Sequence, residues 1–284
     1  MTSPQDAGLD ARIARLEALG EADPQLTDPK DLSVMCEVAA GPFVMGVAEG
    51  EADKPDEAPE RVVVIERFLV DPHLVTVAAY RRFVDDGGYA RRACWSNEGW
   101  RWRLEGSTSR SETLVGPVDR PRFWDDPAWA VYGSPNRPVV GVSFWEAEAF
   151  ARWAGKRLPS EAEWEKVARG EDGRRYPWGD DWEPDRCAHR EVGPRSTVPI
   201  GCFPRGRSAC GAFDLLGSVW QWCADWYGPY DPHATLDPTG PDDGETKVVR
   251  GGAWNTLASS CRATNRNAFP PHARFSNVGF RCVA

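Results

Sequence analysis

The sequence predicts a mixed chain of short strands and a few helices, with much of its length in irregular structure. Three observations carry this reading. Twenty-seven glycines and twenty-four prolines are spread along 284 residues and demand many turns. Fourteen tryptophans each bring a large apolar area with an indole N–H that needs a partner, so the core must mix aromatics with hydrogen-bonded loops. Two capping boxes mark helices between runs of β-branched and aromatic residues.

Residues 10–20 place Ile13, Leu16 and Leu19 at helical spacing, giving a short amphipathic helix within a partly disordered extension, residues 1–30. Residues 36–46 read as a hairpin strand, and the acidic run 50–60 as a solvated loop. RVVVIERFLV (61–70) reads as a buried strand, and 75–89 as a helix stopped by Gly87 and Gly88. Five tryptophans lie among Arg, Gly and Pro between residues 94 and 136, a stretch read as irregular and packed by aromatics. VVGVS (139–143) reads as a strand, and Ser143 with Glu146 opens a helix by the capping-box pattern. Ser160 and Glu163 repeat the device after Pro159, and Gly170 ends that helix. RYPWGDDW (175–182) is a turn, and residues 211–227 alternate as a sheet-core strand. No internal repeat or low-complexity linker divides residues 31–284, which read as one domain.

Composition also bounds the function. A net charge of -9 disfavours nucleic acid as a partner, since the basic stretches at 120–122 and 262–274 are short. The mean hydropathy of -0.52 and the lack of a long apolar run predict no membrane span. The first twenty residues do not resemble an export signal, so a cytoplasmic location with reduced thiols is expected. None of the eight cysteines forms a CxxC pair or sits with histidine at zinc-finger spacing. Under oxidation, Cys261 with Cys282, or Cys202 with Cys210, are the pairs the sequence suggests.

The last stretch, residues 248–283, is where a site is expected. It opens on VVRGGAW and closes on VGFRCV, two β-rich runs. The paired glycines Gly251 and Gly252 suit a bulge or a close backbone approach. A segment pinned at both ends and polar between them suits a binding surface. Four of the six asparagines fall in the final thirty residues, among Trp, Phe and Arg. Rigid aromatic anchors beside small adaptable amides are the chemistry of recognition surfaces. The candidate ligand-contacting residues are Trp254, Asn255, Thr256, Arg262, Asn265, Arg266, Asn267, Phe269, His272 and Arg274. The alternative reading is that the arginines pair internally with carbonyls or with the acidic loops. Cys261 is either a reactive thiol or an inert core thiol.

Five motifs in order, WAGKRLPSEAEWEKVARG, YPWG, LLGSVWQWCADWY, RGGAW and VGFRC, resemble the formylglycine-generating enzyme (sulfatase-modifying factor) family. The resemblance runs from about residue 43 to the C-terminus. It implies an α+β, C-type-lectin-like formylglycine-generating-enzyme fold with low regular secondary structure. The family includes copper oxidases that make formylglycine from a substrate cysteine, iron-dependent oxidoreductases and diversified ligand-binding variable proteins.

In the oxidases two thiolates after the glycine pair hold copper(I), a soft ion suited to sulfur. Here Thr256 stands at the first position, and Cys261 is the one thiol near the second, so the copper site is expected to be broken. The family's calcium motif is also altered, with Ser218 and Gln221 in place of an asparagine and a glutamate, and calcium is not expected. His73, His189, His233 and His272 show no metal-binding spacing. The expected role is recognition of a protein or small ligand through residues 254–275. The alternative is a copper-dependent oxidase pairing Cys261 with Cys223 or Cys282, or a non-haem iron enzyme.

Overall fold

The computed structural model describes residues 4–19, 28–108 and 113–284. Residues 1–3 and 20–27 of the partly disordered extension expected over 1–30 lie outside the described residues. Helix α1 (Pro4–Leu19) starts earlier than the periodicity suggested. It buries Leu9 and Ile13 against Ala188, Val198, Cys202 and Phe203. Its Arg12 donates to the Cys202 carbonyl at 2.8 Å, and its Glu17 pairs with Arg137 at 2.6 Å.

Strand β1 (Cys36–Val38) pairs with β4 (Phe68–Val70), and β2 (Gly41–Met45) with β3 (Arg61–Ile65), both antiparallel. The run 61–70 is therefore two strands, not one. β3 buries Val63 and Ile65 but leaves Val62 and Val64 on its outer face. Helix α2 (Val77–Asp85) is capped by Thr76, which accepts from the Ala79 amide.

The aromatic stretch expected to be irregular holds α3 (Asn97–Glu105) and a small hairpin, β5 (Gly106–Thr108) with β6 (Thr113–Val115). Only Gly99 and Trp102 are buried in α3, so alternating Arg and Trp hide its period. Conversely, VVGVS (139–143) forms no strand. The Val139 amide donates to Val75 and the Gly141 amide to Phe275, so the hydrogen bonds split between two segments and no ladder forms.

Helices α4 (Phe144–Trp153) and α5 (Glu161–Arg169) carry both expected capping boxes. In α5 the Ser160 hydroxyl accepts from the Glu163 amide at 3.1 Å, and Glu163 answers the Ser160 amide at 2.8 Å. Ser160→Ala should lower stability by about 1 kcal/mol, read from urea unfolding, and a neutral result would show that the cap is dispensable.

The central sheet runs β10 (Val278–Gly279), β7 (Trp220–Trp226), β8 (Lys247–Arg250), β9 (Arg266–Phe269). β10 is parallel to β7, and the other pairs are antiparallel. β9 lies inside the segment expected to be loop. Only residues 220–226 of the long run 211–227 are strand, because Asp214 and Ser218 take left-handed backbone (φ 54° and 59°) and break it.

Within β7, Asp225 is buried and accepts from the Glu161 amide at 2.8 Å, which holds α5 against the sheet. Burial first, and then the Glu161 charge, push its carboxyl from 3.8 up to about 7, against the pull of Lys247. A raised folded-state value means the native protein holds this proton more tightly than the unfolded chain. That stabilisation is complete below about pH 4 and is lost as the pH climbs to about 7. Asp225→Asn should flatten the fall in Tm across this window. A slope equal to the parent's would mean Asp225 titrates normally.

Candidate functional site

The C-terminal segment is held by buried charge. On α5, Glu161 and Glu165 lie one turn apart and face the sheet. Arg250 of β8 donates to Glu161 at 2.7 Å, to Glu165 at 2.7 Å and to the Ala263 carbonyl at 2.6 Å. Arg266 of β9 grips both oxygens of Glu161, at 2.7 and 2.8 Å, and donates to the Asp56 and Gly228 carbonyls. Arg169 completes the set on Glu165 at 2.9 Å. Its two flanking arginines hold Glu165 below the usual carboxylate range, overcoming the opposing push of burial.

These contacts decide where the expected ligand residues stand. Arg266 is 2% exposed and internally paired. Arg262 is 5% exposed, bound to Asp53 at 2.7 Å and to Glu57. Asn265 is buried and donates to the Ser260 carbonyl at 2.6 Å. Arg274 is buried against Glu146 at 3.3 Å and the Gly141 carbonyl at 3.1 Å. All four are buried and internally paired, as the internal-pairing alternative requires, although Arg266 also lines a cleft beside Glu161 and Tyr230. Asn267, Phe269 and His272 are half-buried, and Phe269 packs edge-on to Phe275 at 5.1 Å.

The exposed remainder is a rim beside the glycine pair. Gly251 and Gly252 both have left-handed backbone (φ 96° and 76°), and a Cβ on Gly251 would meet the Leu215 carbonyl at 2.3 Å. This bend turns the chain from β8 into residues 253–257. Asn255 and Leu257 are exposed, while Trp254 and Thr256 are half-buried. The Asn277 amide donates to Asn255 at 3.1 Å, and the Trp254 indole to the Ser276 carbonyl at 3.3 Å. The Trp254 and Trp220 amides bond Ser218 and Asn277 respectively, each at 2.9 Å. The rim's backbone is thus anchored to the core, and Asn255 and Leu257 are its exposed side chains.

The residues expected to hold copper do not form a pair. The Thr256 hydroxyl accepts from the Ala253 amide at 2.9 Å and closes a turn. Cys261 is 0% exposed, and its thiol neighbour is Cys187, itself 2% exposed. Neither Cys223 nor Cys282 takes that place. Cys223 leans on the Gln221 carbonyl at 3.9 Å, and Cys282 lies in the other core cluster beside Asp71. The suggested pairings of Cys261 with Cys282 and of Cys202 with Cys210 likewise fall in separate clusters, and all eight thiols are free.

At the calcium-motif position, Gln221 is 0% exposed and fully bonded. Its amide nitrogen donates to the Asp214 and Leu215 carbonyls, each at 3.0 Å. Its oxygen accepts from Trp164 at 3.0 Å and Arg281 at 2.7 Å. A calcium ion needs several free oxygens, and here an N–H group already occupies two carbonyls, so the donor set does not fit the ion. His73 stacks on Phe213 near Asp214, and His189 bonds Glu191 at 2.8 Å. Among the described residues no three His, Cys, Asp or Glu side chains gather as a metal-binding set. Likewise among them, no helix is long and apolar enough to cross a membrane.

Glu161, Glu165 and Arg250 frame this segment, and reading the residues in order missed them. The available signal was the i, i+4 spacing of Glu161, Glu165 and Arg169 on a helix whose residues are all buried.

Comparison with known proteins agrees with this architecture. The chain is 36% identical over 286 residues to the formylglycine-generating enzyme of Streptomyces coelicolor, covering 90% of each. It is also 36% identical over 262 residues to hercynine oxygenase of Mycolicibacterium thermoresistibile, covering 84% of this chain but 56% of that protein. Among solved structures, PvdO from Pseudomonas aeruginosa superposes with a TM-score of 0.67 at 26% identity, over 88% of this chain and 93% of that one. Treponema denticola variable protein 1 shares the fold, with a TM-score of 0.63 at 19% identity over 88% and 94% of the two chains. The family model described as sulfatase-modifying factor enzyme 1-like domain matches residues 21–284, and with that match the chain belongs to this family, in its α+β, C-type-lectin-like fold.

Proposed function

We propose that this formylglycine-enzyme-like domain is a recognition module that takes an extended protein or peptide segment across the rim of Trp254, Asn255, Thr256, Leu257 and Asn277. The observation that carries this reading is the rim's construction. An exposed amide, Asn255, and a half-buried aromatic, Trp254, stand on a backbone tied into the core, so little ordering cost remains on binding. Two clefts of about 780 and 520 Å³ open elsewhere, and none of the rim residues lines them. That favours a partner laid over a surface rather than a small molecule enclosed in a pocket.

Panning a displayed peptide library against the immobilised protein tests the reading. Enriched peptides should lose at least about tenfold in affinity, roughly 1.4 kcal/mol, for Trp254→Ala and for the pair Asn255→Ala with Asn277→Ala, with Tm little changed. Peptides that bind these variants as tightly as the parent would place the surface elsewhere.

A second reading has one observation in its favour. Cys187 and Cys261 are neighbours, and the relative from Streptomyces coelicolor bears the name of an enzyme that generates formylglycine. Both thiols are enclosed, however, at 2% and 0% exposure, so a substrate thiol has no route to them. The oxidase reading is therefore the weaker of the two.

A further inference from the structure

We infer that Cys187 and Cys261 join as a disulfide that locks the rim loop to the body of the domain. The geometry begins with the backbone. Residues 187–191 and 256–261 run beside each other and are docked twice. The Arg190 amide donates to the Thr256 carbonyl at 2.9 Å, and the Ala258 amide to the Glu191 carboxylate at 3.0 Å. Both cysteines belong to the same apolar cluster, as do Ala212, Leu215, Leu216 and Ala263. The two side chains lie within hydrogen-bonding reach of each other, and this contact, ahead of burial, pushes the Cys187 thiol up. Cys223 shares this cluster but leans on the Gln221 carbonyl at 3.9 Å, and Cys210, packed against its edge, lies 3.2 Å from the Ser208 hydroxyl.

The chemistry balances with a small-molecule disulfide as oxidant. The thiolate of one cysteine attacks that disulfide and expels one thiol. The second cysteine then displaces the other half, and the protein gives up two protons and two electrons as the oxidant becomes two thiols. Once formed, the bond sits in an apolar enclosure that keeps attacking thiolates out. Oxidation therefore belongs to folding, when both sulfurs are still accessible. The bond does not depend on the recognition reading; only its effect on binding does. That effect is stiffening, since Cys261 lies four residues beyond Leu257 on the strand of chain that bears the rim.

The test is to refold the full chain from denaturant in mixed reduced and oxidised glutathione, quench with acid, alkylate free thiols under denaturing conditions, and map peptides without reduction. One linked pair, containing Cys187 and Cys261, should appear at about 2 Da below the summed reduced masses, with the other six cysteines alkylated. Cys187→Ser should free only Cys261, and Cys261→Ser only Cys187. If a serine variant fails to fold, Cys187→Ala and Cys261→Val serve in its place. Chymotryptic cleavage at Leu257 should be about tenfold slower in the oxidised protein than in the reduced one. Soluble, folded protein with both cysteines alkylated, or with Cys261 linked elsewhere, overturns the bond. A mapped bond with unchanged cleavage overturns the lock. Neither result bears on whether the rim binds peptides.

Discussion

Glu161→Ala will lower the unfolding free energy by about 3–5 kcal/mol, a large share of a domain's margin. The reason is that one carboxylate serves two arginines. Arg250 and Arg266 are 0% and 2% exposed, and both reach Glu161 within 2.7 Å. Removing it leaves Arg266 without a carboxylate partner, with the Asp56 and Gly228 carbonyls as its remaining acceptors among the described residues, and leaves Arg250 to share Glu165 with Arg169. Glu161→Gln keeps the shape but not the charge and should cost less. Guanidinium unfolding measures both. A loss below about 1 kcal/mol, the range of an exposed ion pair, would mean that water reaches these arginines. The same variant should weaken peptide capture at the rim, because β8 and β9 would lose the tie that fixes their ends.

Gln221→Glu will make the protein both less stable and responsive to calcium. In the parent, the amide nitrogen of Gln221 donates to the Asp214 and Leu215 carbonyls, each at 3.0 Å. A carboxylate there points oxygen at oxygen and leaves two buried acceptors bare, at about 1–3 kcal/mol each. A hard divalent cation placed between them can restore the balance, since calcium seeks carboxylate and carbonyl oxygens together. Thermal unfolding should therefore show a lower Tm for Gln221→Glu, partly recovered in millimolar calcium, and no calcium effect on the parent. An equal gain in the parent would show that the ion binds despite the amide.

The sequence disclosed the scaffold better than the site. Both capping boxes were legible because Ser143 with Glu146, and Ser160 with Glu163, state a local bond in a local pattern. The bend at Gly251 was legible for the same reason. What escaped depended on distant partners. β9 hid in a polar run because its residues are ordered by β8 and by Glu161, more than one hundred positions away. Arg262, Arg266 and Arg274 looked like surface chemistry, since unaligned sequence cannot show that Glu57, Glu161 and Glu146 wait for them inside. The asparagines divided the same way. Asn255 is exposed with Asn277 bonded to it, while Asn265 is spent on a carbonyl. The neighbour of Cys261 was misjudged because Cys187 lies in a loop with no periodic signal.

An anaerobic copper(I) titration against a competing chelator, run on the reduced protein, tests most directly whether this scaffold has exchanged metal chemistry for recognition. The enclosed cysteines and the engaged hydroxyl of Thr256 predict no stoichiometric uptake that Cys261→Ser removes, and no oxidation of a cysteine-bearing peptide. One tightly held equivalent of copper, lost in Cys261→Ser and accompanied by turnover of that peptide, would contradict it.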